Sequence, residues 1–287
     1  MGRNKKNVME DNIVKLSWLA NILVTHEWFE RALAAKQVPA KNFGSFFQTA
    51  KDATMLDEIR ILNIYCSFLY AYARQEYGID LKGEFVQCGV WKGGIAAAIA
   101  QQMGKDRDYR ESTKLWLYDT FQGMTEPSEV DVNLVGVAAS SILDEIKCES
   151  SFSEVVERVG KQIDGKRVNF VVGDVRKTLY LEGAVPEKIA FLHLDTDFYD
   201  STKAELEVLW PRVSPGGVVV IDDYGHWKGC GKAVDEFFGS RLLQVEYREE
   251  PLRKLADDVR ADPERFADFV GVYHKVDYTA IRIFKVK

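Results

Sequence analysis

From residue 84 onward, short β-branched and apolar runs alternate with helix-like stretches, and this alternation limits the possible folds more than any other feature. The runs are EFVQCGV (84–90), KLWLYD (114–119), RVNFVVG (167–173), KIAFLHLD (188–195) and GGVVVIDD (216–223). Helical spacing lies between and after them, near 93–103, 139–160, 175–182, 200–210 and 230–238. Strands apolar on both faces, each followed by a helix, predict an α/β fold with a parallel, helix-covered sheet. TAIRIFKVK (279–287) alternates apolar and polar residues, which predicts a last strand with one partly exposed face. An open sheet of this kind binds ligands beyond the carboxyl ends of its strands, so chemistry is sought at those tips.

The first 80 residues read differently. Asn12 to Lys36 and Met55 to Tyr77 place apolar residues at three- and four-residue steps, broken at Pro39 and Gly44. This divides the chain into an N-terminal helical cap or lid, 1–80, and a Rossmann-like domain, 81–287. Residues 250–269 read as a charged helical insertion. The net charge of −6 argues against a nucleic-acid partner, which needs clustered Lys and Arg. Four dispersed cysteines, with no CxxC pair, suit a reducing cytoplasm and offer no zinc site. The polar start has no apolar signal-peptide core, position 6 is Lys rather than a myristoylation Ser or Thr, and no run spans a membrane. A cytoplasmic protein without a membrane partner is the expectation.

The first strand ends in QCGVWKGG (87–94). A glycine turn feeding a helix serves NAD, FAD or S-adenosylmethionine (SAM), or is simply a tight turn. A dinucleotide needs a second glycine where the backbone meets the pyrophosphate, and that position is Trp91. SAM has no phosphate, and Gly89, Gly93 and Gly94 leave a turn open enough for it. The second strand ends at Asp119, placed to accept from ribose hydroxyls or, alternatively, to cap the turn at Thr120. Gly173, Asp174 and Val175 close the third strand at the adenine position, where Asp174 equally suits a helix cap.

The fourth and fifth strands end in FLHLDTD and VVVIDD, which brings Asp195, Asp197, Asp222 and Asp223 to neighbouring tips. Crowded carboxylates are costly unless something neutralises them, and a hard cation such as Mg²⁺ prefers oxygen ligands. Asp195, Asp222 and Asp223 are the expected ligands; any one alone reads equally as a cap or turn former. Asp197 lies further into the loop and could instead orient the following helix. A coordinated hydroxyl would become a nucleophile once a base takes its proton, the candidates being Asp195 and His226. His193, inside the fourth strand, reads as core.

These residues together resemble the macrocin O-methyltransferase (TylF-type) family, SAM- and magnesium-dependent enzymes that methylate sugar hydroxyls on antibiotics. The carrying blocks are DATMLDEIRILNIY (52–65), EFVQCGVWKGG (84–94), LWLYDTFQGM (115–124), FLHLDTDFYDSTKAELEVLWPRVSPGG (191–217) and VVVIDDYGHWKGCGKAVDEFF (218–238). The resemblance implies a class I SAM-methyltransferase sheet with an antiparallel last strand. It places Thr54 and Met55 over the SAM, with Gly89, Val90 and Gly93 at the methionine end and Asp119, Thr120 and Phe121 near the ribose. It aligns Asp195, Asp222 and Asp223 with the metal ligands and Asp195 with the base. It also implies a lid over the acceptor and a homodimer. The chain departs from the family in having Gln87 where Glu is common. A catechol or amine acceptor, a nicotinamide oxidoreductase and a non-catalytic nucleotide-binding protein are the alternatives.

Overall fold

The structure is a computed structural model; it describes residues 40–76, 81–105, 113–244 and, of the last part, 254, 257–258, 261–262, 264–266, 268–276 and 279–286. The expected helix at 12–36, the break at Pro39 and half of the 250–269 insertion lie outside the described residues.

Five expected strands are present as β1 (Glu84–Cys88), β2 (Leu115–Asp119), β3 (Val168–Val172), β4 (Ile189–Leu194) and β5 (Val213–Ile221). Three more, β6 (Leu242–Gln244), β7 (Gly271–Lys275) and β8 (Ile281–Lys285), complete one sheet in the order β3-β2-β1-β4-β5-β8-β7-β6. β8 runs antiparallel to both of its neighbours, and the other described pairings are parallel. The expected antiparallel last strand is therefore present.

The two-residue period of each strand separates two cores. Phe85, Leu117, Phe191, Val220 and Phe284 face one layer, formed by α1 (Ala40–Ala50), α2 (Glu58–Glu76), α3 (Gly94–Lys105) and α4 (Phe152–Gly160). Val86, Cys88, Leu192, Leu194 and Ile221 face the other, with α6 (Tyr199–Leu209) and α7 (Lys228–Phe238). A short α5 (Val175–Thr178) follows β3. Burial of these apolar faces is the main stabilising term, at roughly 25 cal/mol per Å² removed from water.

Three expectations differ in detail. Gly44 lies inside α1, with open space where a Cβ would stand, so it does not break the helix. Helix 139–160 shrinks to α4; residues 142–150 form a turn-rich loop, following a short 3₁₀ turn at Ala139–Ser141. Ser151 ends that loop by accepting from the Glu154 N–H, a capping arrangement that fixes where α4 starts. β8 is buried along its whole length because it lies between β5 and β7. Its polar residues find partners instead: Arg282 Nε donates to Asn63 Oδ1 at 2.9 Å, and Lys285 Nζ to the Trp210 carbonyl at 2.9 Å.

Candidate active site

The glycine turn is built by close approach. Gly89 has φ +80°, and a Cβ there would lie 1.9 Å from the Asp195 carbonyl oxygen. Only glycine lets the tips of β1 and β4 stand that close. At Gly94 a Cβ would meet the carbonyl oxygens of Ala50 and Ala53 at 2.4 and 2.6 Å. The chain leaving α1 therefore rests on the first turn of α3, and this sets Thr54 and Met55 over the strand tips.

Asp119 holds the turn from the side. Its Oδ2 accepts from the N–H groups of Val90 (2.6 Å) and Trp91 (2.8 Å), and its Oδ1 accepts from Phe121 N–H (2.6 Å). A carboxylate has about four acceptor positions, so one remains for a ligand hydroxyl. Trp91 takes φ +46° within this staple and holds the sequence position of a dinucleotide turn's second glycine.

Two adjoining cavities open at the tips. The first, about 680 Å³, is lined by Met55, Gly89, Trp91, Asp119, Thr120, Gly173, Val175, Asp195 and Asp197, among others. The second, about 1260 Å³, is lined by Thr54, Met55, Arg60, Gln87, Gly89, Val90, Asp195, Asp197, Asp222, Asp223 and His226, among others. Met55, Gly89, Trp91, Cys148, Asp195 and Asp197 border both.

Three expected cofactor residues stand behind the walls. Gly93 is buried against the Val155 side chain, and Phe121 packs on Phe152 at 5.0 Å between ring centroids. Asp174 caps α5: it accepts from Arg176 N–H at 2.9 Å and pairs with that guanidinium at 2.8 Å. Of its two sequence readings, the cap is the one the geometry supports. His193 is fully buried in β4, as its core reading anticipates, and burial pushes its pKa down to about 3.

At the acidic tips, oxygens of Asp195, Asp197 and Asp223 lie within 4.8 Å of one another. Asp222, also expected here, accepts from Arg60 Nη1 at 2.7 Å, and its charge acts on Asp195 ahead of that of Asp223. Asp197 joins the group from a left-handed turn, φ +68°, and Trp227 Nε1 donates to it at 3.2 Å. Burial first, and then neighbouring negative charge, raises the Asp195 and Asp197 carboxyls well above the usual range. Burial also raises Asp223, while Asp197 and His226 partly offset the effect. Asp223 Oδ2 is buried and receives no hydrogen bond from the described residues. An all-oxygen donor set with crowded charge and a free buried oxygen fits a hard divalent cation.

The pattern of the Macrocin-O-methyltransferase (TylF) family matches residues 52–251. The chain belongs to this family. It is 32% identical over 166 residues to demethyldecarbamoylnovobiocin O-methyltransferase of Streptomyces niveus, covering 56% of this chain and 60% of that one. It is likewise 32% identical over 167 residues to 8-demethyl-8-(2,3-dimethoxy-alpha-L-rhamnosyl)-tetracenomycin-C 4'-O-methyltransferase of Streptomyces olivaceus, 55% and 58% of the two chains. These matches span less than two thirds of the relatives' length. Among solved structures, the O-methyltransferase NovP superposes with a TM-score of 0.58 at 24% identity, covering 82% of this chain and 83% of that one, and shares its fold.

Sequence reasoning missed Arg60 and the 142–150 loop, which brings Glu145, Ile146 and Cys148 to the cavities. Arg60 shows no local signal, since its partner lies 162 residues away. The loop could have been suspected from Gly136 and the turn-forming Asn133 before it.

Proposed function

We propose that this macrocin-family chain transfers a methyl group from SAM to a hydroxyl of a sugar or sugar-bearing small molecule, with a divalent cation, Mg²⁺, at its acidic centre. The observation that carries the reading is the position of Asp195 and Asp197, which border both cavities where donor and acceptor would meet. The rhamnosyl group in the name of the Streptomyces olivaceus relative supports a sugar acceptor. No helix among the described residues is long and apolar enough to cross a membrane.

The first cavity takes the donor. The Gly89–Trp91 turn would face its methionine end, the open acceptor position of Asp119 its ribose, and Gly173 and Val175 its base. Met55 also lines this cavity and would serve as a lid residue over the donor. The acceptor enters the second cavity past Leu56, Ile146 and Trp227. Asp195, Asp222 and Asp223 would hold the cation, which when bound supplies the charge that makes an aliphatic hydroxyl acidic enough to react. Asp197 takes the proton, because it is the remaining carboxylate that borders both cavities. His226 borders only the second and is the other base to test. Fixing both reactants at the junction is itself a large part of the rate gain.

Methyl transfer from labelled SAM, with glycoside, catechol and amine acceptors and with or without a chelator, tests this reading. Glycoside methylation abolished by chelation is the expected result; transfer to catechols alone, or activity indifferent to chelation, would overturn it. Light scattering in solution checks the homodimer that the family resemblance implies.

A further inference from the structure

One buried carboxyl near the acidic tips borders neither cavity. Glu205 is fully buried in the middle of α6, where an apolar side chain would carry no desolvation cost. Thr196 Oγ1 donates to its two oxygens, at 3.0 Å each, and the Cys88 thiol at the end of β1 shares a hydrogen bond with it. Thr196 stands between Asp195 and Asp197, and its backbone is held as well. Its carbonyl accepts from Phe198 N–H at 2.8 Å and from Ser201 Oγ at 3.1 Å. One residue earlier, Asp195 N–H donates to the Cys88 carbonyl at 2.9 Å. The segment that carries both aspartates is thus fastened to β1 and to α6, and Glu205 is the link that reaches its one neutral side chain.

We propose that Glu205 is a positioning residue of the acidic centre: it holds the Thr196 hydroxyl and thereby fixes how the flanking Asp195 and Asp197 face the divalent cation. This rests on the reading that the acidic tips hold a cation. Crowded carboxylates repel one another, and the backbone between Asp195 and Asp197 is the piece that would move to relieve the repulsion. Asp197 already stands in a left-handed conformation, φ +68°, which persists only where the surroundings determine it. A hydrogen bond from Thr196 into a buried carboxyl resists that movement without adding a ligand to the centre. Packing does not account for Glu205, because an apolar side chain would fill the same space while leaving the Thr196 hydroxyl without this acceptor. Groups that orient metal ligands from behind are typically worth about ten- to a hundredfold in metal affinity.

The test separates the hydrogen bond from charge and from packing. Mn²⁺ is titrated into the full, metal-free chain, with free Mn²⁺ followed by electron paramagnetic resonance. The proteins are the wild type, Glu205→Gln, Glu205→Leu, Thr196→Val, the double variant Thr196→Val/Glu205→Leu, and Asp223→Asn. Glu205→Leu keeps the bulk and removes the acceptor, Thr196→Val removes the donor, and each is expected to weaken Mn²⁺ binding by about tenfold. Glu205→Gln keeps an acceptor oxygen without the charge and is expected to stay within about threefold of the wild type. The double variant should lose no more than the weaker of its two single variants, because both remove the same link. Unchanged Mn²⁺ affinity in Thr196→Val and Glu205→Leu, whatever their stability, would overturn the proposal, since a residue that only braces the fold gives that result. Additive losses, or Glu205→Gln binding as weakly as Glu205→Leu, would overturn it too. Should Glu205→Leu not fold, Thr196→Val and Glu205→Gln decide alone: a tenfold loss in the first beside wild-type affinity in the second supports the proposal, and any other pair of results overturns it. Asp223→Asn guards the underlying reading. If it titrates like the wild type, the cation reading has failed and the proposal falls with it; if it alone loses affinity, only the role of Glu205 has failed.

Discussion

The two walls of the site are built on opposite electrostatic plans. On the donor side the carboxylate that holds the glycine turn, Asp119, accepts from three backbone N–H groups. On the acceptor side three carboxylates crowd together, and a buried oxygen of Asp223 has no donor among the described residues. A carboxylate met by backbone N–H groups can be satisfied by the chain alone. A centre that must bind a cation cannot be, because the groups that satisfied it would compete with the ion. The donor wall is therefore expected to fail through its fold and the acceptor wall through its charge.

The largest effect is expected from Gly89→Ala. A methyl group there would overlap the Asp195 carbonyl oxygen and would have to adopt φ +80°. Strain and clash together cost about 3 kcal/mol or more, and the tips of β1 and β4 separate. Chemical denaturation reads the loss. A variant as stable as the wild type would show that the two walls are not joined through this contact.

Asp223→Asn should separate activity from stability. Methyl transfer falls by roughly a hundredfold or more, in line with the loss of a group that supports charge stabilisation. The metal-free protein, in contrast, holds its melting temperature or gains, because one of the crowded charges is gone. Loss of both would mean that Asp223 serves the fold and that the contrast between the walls is false.

The depth of the acidic side shows in pH dependence. Glu205 is buried beneath the tips, where Thr196 Oγ1 donates to it at 3.0 Å, and burial pushes its carboxyl up to about 8. A folded-state pKa above the unfolded value means that the native state holds the proton more tightly. This contribution is fully present below the unfolded pKa of about 4.3 and is lost as pH rises toward 8. Glu205→Gln should flatten the stability curve between those limits, as melting temperatures at a series of pH values would show. An unchanged slope would assign the dependence to the aspartates alone.

The sequence carries one wall far better than the other. Strands with apolar residues on both faces are visible as runs, and the glycine turn declares itself because only glycine tolerates the crowding at residue 89. Asp195 and Asp223 are legible as strand ends. Which carboxylates actually meet is not, since that depends on the left-handed turn at Asp197 and on Arg60 arriving from a distant helix. The 142–150 loop misleads for a related reason. Ile142, Leu143 and Ile146 have helical spacing, yet they pack on the core from a loop held by distant contacts. Among these, Asp131 accepts from Tyr199 N–H at 2.8 Å, and Asn133 pairs with Trp227. Local pattern cannot register either contact.

The smallest effect lies at Asp174, where sequence allows both an adenine contact and a helix cap. Its carboxylate accepts from Arg176 N–H and pairs with the Arg176 side chain, and this interaction outweighs burial and lowers its pKa below the usual carboxylate value. Arg176 engages both of its oxygens, and the first cavity is lined here by Gly173 and Val175 rather than by Asp174. Asp174→Ala should cost about 1 kcal/mol of stability, the ordinary value of a lost cap. Binding of S-adenosylhomocysteine, measured by calorimetry, should stay within about twofold of the wild type, a change under 0.5 kcal/mol. A tenfold loss of affinity with stability intact would place Asp174 on the ligand. The donor wall would then depend on a side-chain charge at its adenine edge, and the division between a wall finished by backbone and one awaiting a cation would hold only around Gly89.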